Sequence, residues 1–433
     1  MNEVQQKVLG LIDRKELIEL ALALGNIPSA AGEEAEIGNF IYDWLARNEY
    51  SPRRIGFVPE RCCMAGVLPG TGDGISFAFN SHMDTAKQVD DFVQQLPESG
   101  GRAAWVDGKY IMGAGIVNDK GPMAAWMIAT NAIRKAGVKL RGDLVLTMVP
   151  GEIDQEPVDE FTSPRYLSKE VGARYLITRG FIADFALVAE GTHFKVTWAG
   201  AGKACFKVTV LGDRALYVPF LPLRSELTQS PNAIVRTAVV IAGLEDWARD
   251  YERDGIVDMP GGRFVPKAVI GAVRAGAPYH IGSSSEACHL YIDVRLAPGA
   301  DPLAIRADLR RVLAKCGVKG TVELYTFRKA QVADDNKIAP LVGAIGDTHA
   351  ALGYEKPSLA DPIYTSMWRD HIAFIEAGIP ALTYGPGAAT AAGTTLGMLL
   401  DDLERAARCY TLIALEMCMR EKKDSSKAAG RDH

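Results

Sequence analysis

Cysteine and histidine are both scarce, with seven of each in 433 residues. The cysteines are odd in number, and only Cys62 and Cys63 are adjacent. No framework spacing and no C-x-x-C pair occurs, which excludes a disulfide-built scaffold and leads us to expect reduced thiols in the cytoplasm. No apolar run approaches the roughly 18 residues that a membrane span needs. The first twenty residues mix both charge signs and lack the apolar stretch and small-residue cleavage site of a signal peptide. An excess of positive charge is missing as well: 48 Lys and Arg stand against 53 Asp and Glu, for a net charge of −5. Neither nucleic acid nor an anionic bilayer is therefore an expected partner. Internal repeats and low-complexity tracts are absent. The remaining composition, 48% hydrophobic and 23% charged, is that of an ordinary globular protein long enough for two or three compact units.

The local patterns divide the chain. An opening helix is read to about Leu24, and a second follows Pro28 and Ser29, with Ile37, Phe40, Ile41, Trp44 and Leu45 at helical spacing. Short apolar runs bounded by Gly or Pro come next, at 75–80 (ISFAFN), 143–149 (DLVLTMV), 185–190 (FALVAE) and 380–385 (PALTYG). They are too brief for helices and read as buried strands of a largely parallel sheet. Residues 120–137 have the length and period of a crossover helix, stopped by Gly137. After Trp198 the texture changes to alternating strand, helix, alternating strand, helix, which reads as a smaller α+β insert. The expected fold is therefore α/β, a mostly parallel sheet domain over 1–199 and 328–433 interrupted by an α+β domain over 200–327.

Four places carry chemistry. His82 directly follows a strand, where open α/β sheets present their ligands, and Asp84 lies two residues on, able to orient the ring. The run 113–121 (GAGIVNDKG) opens the crossover helix without the spacing of a phosphate-binding loop. Glu152 follows the strand at 143–149, and Glu190 ends the strand at 185–190. Each alone fits a cap or a loop hydrogen bond. Together, a His, an Asn or Asp and two Glu converge on one edge of a parallel sheet, a set of nitrogen and oxygen donors with a spare carboxylate that suits a hydrolytic metal site.

These residues, with PSAAGEE at 28–34, SHMDT at 81–85, PNAI at 231–234 and GIPALTYGPG at 378–387, resemble the aminoacylase, carboxypeptidase-G and succinyl-diaminopimelate desuccinylase group of metal-dependent hydrolases. The resemblance spans nearly the whole chain. It implies a catalytic domain interrupted by a lid and dimerisation domain, a homodimer or higher homo-oligomer, and two bound divalent ions. The first ion would fall to His82, Asn118 and Glu190, with Asp119 as the alternative to Asn118. Glu152 matches the general base, and Asp84 would hold His82 from behind. The second ion would need a bridging Asp, a second Glu and a late His, positions where this chain has Asn118, Ile153 and Ala392. A neutral amide suits one ion better than two, so the expectation is a single divalent ion, manganese or zinc.

The resemblance also places a carbonyl-polarising His in the insert, and there this chain has Leu216 within an apolar run. His280 and His289 are the possible substitutes. Near the implied substrate loop, Trp368, Arg369 and His371 suit an aromatic, carboxylated small molecule through stacking and a bidentate clamp. Losing an oxyanion donor typically slows an acyl hydrolase about 100–1000-fold. The expected reaction is therefore hydrolytic removal of an amino group, as ammonia, from an activated aromatic ring. A one-metal amidohydrolase or peptidase is the alternative, and an inactive binding protein the second.

Overall fold

The computed structural model describes residues 1–86, 103–113, 115–153, 155–223, 225–391 and 395–422. The chain forms two compact units. One comprises Met1–Trp198, Ala333–Asp361 and Arg369–His433, and the other Ala199–Val332 with Pro362–Trp368. The short return of 362–368 to the second unit was not anticipated. It is held there by the Val265 N–H donating to Ser366 Oγ at 2.9 Å and by a Thr365 hydroxyl bond to the Arg263 carbonyl.

The first unit is built on a seven-stranded sheet in the order Arg53–Ile55, Cys63–Leu68, Leu144–Val149, Phe77–His82, Phe185–Val188, Ala381–Tyr384, Val196–Thr197. The strands at 77–82, 144–149, 185–188 and 381–384 run parallel to one another, and the outer strands pair antiparallel. Alternation puts the two faces of each strand in different cores. Phe77, Phe79, Leu144, Leu146, Leu187 and Leu382 join one core with the helices Gly121–Lys135 and Leu400–Met419. Ala78, Val145, Ala186, Val188 and Ala381 join another, with Ala173, Leu176 and Phe374 from short helices. The Gly121–Lys135 helix is buried over almost its whole length, which explains why its sequence is apolar all round.

The expected opening helix is two helices, Glu3–Leu9 and Arg14–Asn26, because Asp13 caps the second by accepting from the Lys15 and Glu16 amides. The strands at 53–55 and 63–68 have no counterpart in the sequence reading.

The second unit holds a four-stranded antiparallel sheet in the order Ala268–Ala275, Ala287–Leu296, Gly202–Leu211, Gly320–Arg328. Ala204, Phe206, Val208 and Val210 point to one side of it, where they pack with Val240, Leu244, Leu309 and Leu313 of the helices Ala233–Asp254 and Pro302–Lys315. The edge strand Ala268–Ala275 is largely exposed on both faces, so it lacks the alternation by which strands are recognised. Among the described residues no helix is long and apolar enough to cross a membrane.

Candidate metal and active site

Parallel register brings the chemistry to one edge of the first unit. His82 pairs in register with Val149, and Asn80 with both Thr147 and Val188, so His82, Glu152 and Glu190 all lie at or just beyond the C-terminal ends of neighbouring strands. This is where an open α/β sheet leaves a crevice. The loop 115–120 leads into the buried helix and carries Asn118 to the same place: Asn118 Oδ1 lies 3.0 Å from His82 Nε2.

His82 is buried, and its Nδ1 lies 2.9 Å from the main-chain carbonyl of Asp84. With that N–H donated, a neutral ring turns its Nε2 lone pair toward the Asn118 oxygen. Two acceptors at 3.0 Å are reconciled by a shared cation, either a proton or a metal ion. The surroundings favour the same charge. Burial opposes protonation of His82, but Glu152, Asp119, Asp84 and Glu190 together outweigh it and raise its pKa to about 10. Burial raises the Glu190 carboxyl too, although Arg369 opposes the rise. It also raises Asp119 well above the carboxylate range, and Glu190 adds to that rise. Glu190 Oε1 and Asp119 Oδ1 are buried acceptors without a hydrogen-bond partner. The residues therefore fit a bound cation. Among the described residues no three His, Cys, Asp or Glu side chains converge as a metal cage; the group facing His82 Nε2 is the amide oxygen of Asn118.

Between the two candidate neighbours the geometry separates roles. Asn118 is exposed and faces His82 Nε2, whereas Asp119 is fully buried and its Oδ2 accepts from the His82 main-chain N–H at 3.2 Å. Asp84 departs from expectation. Its Oδ1 is 3.7 Å from His82 Nδ1, beyond hydrogen-bond length, because the carboxylate accepts instead from the amides of Glu152 at 3.1 Å and Ile153 at 2.8 Å. Asp84 thus orients the ring through its main chain and the Glu152 loop through its side chain. Its pKa rises to about 6, chiefly through burial.

Glu152 is 7% exposed. Its Oε2 lies 3.9 Å from His82 Nε2, and its Oε1 accepts from the Lys169 ammonium at 3.1 Å. Ile153 brings no side-chain donor to the place of a second carboxylate. Ala392 lies outside the described residues.

The expected substrate contacts are divided between the two units. Trp368 is buried in the second unit. Arg369 in the first unit pairs with Glu190 Oε2 at 3.2 Å and donates to the Gly191 carbonyl at 3.0 Å. His371 is buried with Nδ1 at 2.8 Å from Thr383 Oγ1. Asp370, between them, accepts from Asn80 Nδ2 at 2.9 Å, and its pKa is pushed up to about 7 by burial and by Glu152. In the second unit His289 lies on a strand 3.0 Å from Thr209 Oγ1, His280 is exposed on a loop, and Leu216 pairs through its main chain with Ser284. Sequence reasoning missed Lys169, the buried pair Glu34–Arg61, and the use of Arg369 on Glu190. A lysine in a polar loop carries no signal of its own.

Comparison with known proteins agrees with this architecture. The family model described as peptidase family M20/M25/M40 matches residues 78–416. The chain is 24% identical over 399 residues to the N-formyl-4-amino-5-aminomethyl-2-methylpyrimidine deformylase of Bacillus subtilis, a match covering 86% of this chain and 88% of that one. Among solved structures, human carnosine dipeptidase 1 superposes with a TM-score of 0.70 at 13% identity, covering 96% of this chain and 99% of that one. The Bacillus subtilis YXEP protein, described as a dinuclear metal binding peptidase, superposes with a TM-score of 0.59 at 16% identity, covering 93% and 99%. These structural likenesses carry the fold.

Proposed function

The chain belongs to peptidase family M20/M25/M40, and from that premise we propose that it is a metal-dependent hydrolase of an amide-type carbon–nitrogen bond. A single divalent ion, manganese or zinc, would be held by His82, Asn118 and Glu190. When bound, that ion supplies Lewis-acid activation of water and of a substrate carbonyl. The observation that carries the reading is the division of the Glu152 carboxylate: Oε1 is occupied by Lys169, and Oε2 is turned to within 3.9 Å of His82 Nε2. Oε2 takes the proton of the attacking water and returns it to the departing nitrogen. Asp84 fixes the Glu152 main chain, and Arg369 holds Glu190 by Oε2 so that the buried Oε1 is left for the ion. The substrate class that the Bacillus subtilis relative suggests is an N-formyl or N-acyl amine.

A second reading is favoured by Leu216, which stands where the family resemblance places the carbonyl-polarising histidine. An anion spread into an aromatic ring needs no such donor. On this reading the reaction is hydrolytic deamination of an activated aryl amine, as in 5-nitroanthranilate giving 5-nitrosalicylate and ammonia.

One panel separates the two. Metal-reconstituted protein is assayed for carboxylic acid release from N-formyl and N-acyl amines and for ammonia release from 5-nitroanthranilate, with anthranilate as control. Acid release is the expected result, ammonia from the nitro compound alone establishes the second reading, and no release from any compound leaves a binding protein. Glu152→Gln is expected to retain metal and lose about 100–10,000-fold in kcat, and His82→Ala to lose metal. A fully active Glu152→Gln would remove the base from this scheme.

A further inference from the structure

We propose that Lys169 is a positioning residue for Glu152, and that the segment 164–172 is a strap whose task is to deliver it. This rests on the reading of Glu152 as the general base. A glutamate side chain has three rotatable bonds, and holding a long side chain in one rotamer costs about 1.5–2 kcal/mol of entropy. The structure meets that need from two directions. Asp84 receives the amides of Glu152 and Ile153 and fixes the main chain. Lys169, itself 4% exposed, donates to Oε1 at 3.1 Å and fixes the carboxylate. Only Oε2 is then presented toward His82.

The strap is itself anchored well beyond what an ordinary surface loop requires. Arg61 Nη1 donates to the carbonyls of Pro164 at 3.0 Å and Leu167 at 2.5 Å, the first residue of a single turn of helix at 164–166 and the residue just after it. The remaining guanidinium face is clamped by Glu34, with Nη2 to Oε1 at 2.6 Å and Nε to Oε2 at 2.9 Å. Next to Lys169, Ser168 Oγ donates to the Gly151 carbonyl at 3.2 Å. Gly151 has φ +75°, and a Cβ there would stand 2.4 Å from the Ser168 carbonyl oxygen. A glycine is thus required for the strap and the base loop to touch. Glu34, Arg61, the main chain of 164–167, Lys169 and Glu152 thus form a continuous series of contacts, which ends with Glu152 Oε2 turned toward His82.

The test compares Lys169→Met, Lys169→Arg, Glu152→Gln and the double variant Lys169→Met/Glu152→Gln as full-length, metal-loaded proteins. The substrate is the N-formyl or N-acyl amine that the panel above selects. Misplacing a catalytic group by about 1 Å costs on the order of 100-fold. Lys169→Met is therefore expected to lose about 10–100-fold in kcat, with KM and the metal dissociation constant within about threefold of the parent. Lys169→Arg is expected to recover most of the kcat. In the double variant the lysine change is expected to cost nothing beyond Glu152→Gln alone, because the group it positions is gone. Should Lys169→Met fail to accumulate as a folded protein, Lys169→Gln, which keeps a donor without the charge, is read by the same criteria. An unchanged kcat in Lys169→Met, an equal loss in Lys169→Arg, or multiplicative losses in the double variant would each overturn the proposal. A Glu152→Gln that stays active instead overturns the assignment of the base on which it rests.

Discussion

The buried pair Glu34–Arg61 permits a stability prediction with a definite size. Both side chains are about 1% exposed. Glu34 Oε1 accepts from Arg61 Nη2 at 2.6 Å and from the Gly32 amide at 3.0 Å, while Oε2 accepts from Arg61 Nε at 2.9 Å. Glu34→Gln keeps the shape and one oxygen. Whichever way the amide is turned, one of its ends places an NH2 against a guanidinium N–H, and the charge of Arg61 is left uncompensated. Removing one partner of a buried pair costs about 3–5 kcal/mol. Because one hydrogen bond survives, the lower figure applies, and a loss of about 3 kcal/mol is expected. For a unit of this size that is a fall in Tm of roughly 5 °C. Urea unfolding followed by far-UV circular dichroism, run on the parent, Glu34→Gln, Arg61→Met and the double variant, gives the pairwise coupling directly. A coupling of about 2 kcal/mol or more is expected. If Glu34→Gln cost less than about 1 kcal/mol, the pair would not be holding the strap, and the anchoring argument would fail with it.

Two further predictions concern charge at the site. Asn118→Asp adds a carboxylate beside His82 Nε2, and an added neighbouring charge shifts cation binding by about 1–3 powers of ten. Metal affinity in chelator competition is expected to tighten at least tenfold, and an unchanged value would move the ligand role to Asp119. Asp370 has a folded pKa of about 7 against an ordinary value of 3.8, so the folded state holds an extra proton between those limits. The stability of metal-free protein is therefore expected to fall as pH rises from about 4 to 7, by something of order 4 kcal/mol from this group. Asp370→Asn should flatten that slope, and a midpoint that rises over the same window, or a slope untouched by the substitution, would contradict the assignment.

Which parts of this protein could be read from its sequence follows from how local each constraint is. The strands at 77–82, 144–149, 185–188 and 381–384 are short apolar runs because both faces are buried, and that signature survives without knowledge of the partners. The edge strand 268–275 is exposed on both faces and carried no such signature. That His82, Glu152 and Glu190 meet was legible because parallel topology sends the ends of their strands to one edge, so position in the chain implies position in space. Asp84 shows where that inference stops. It lies beside His82 as expected, but which group its carboxylate serves is decided by two amides of a loop 68 and 69 residues further on. Lys169 and Arg369 lie further from reach, since each acts on a carboxylate brought near only by tertiary folding. The two share a function in the fold. A site that gathers Asp84, Asp119, Glu152, Glu190 and Asp370 in one buried region needs compensating positive charge, and in a chain with Ile153 at the place of a second carboxylate ligand, Lys169 and Arg369 supply part of it. Each takes one oxygen of a carboxylate, and on the proposed mechanism the other oxygen is the working one, so neutralising either side chain is expected to lower kcat.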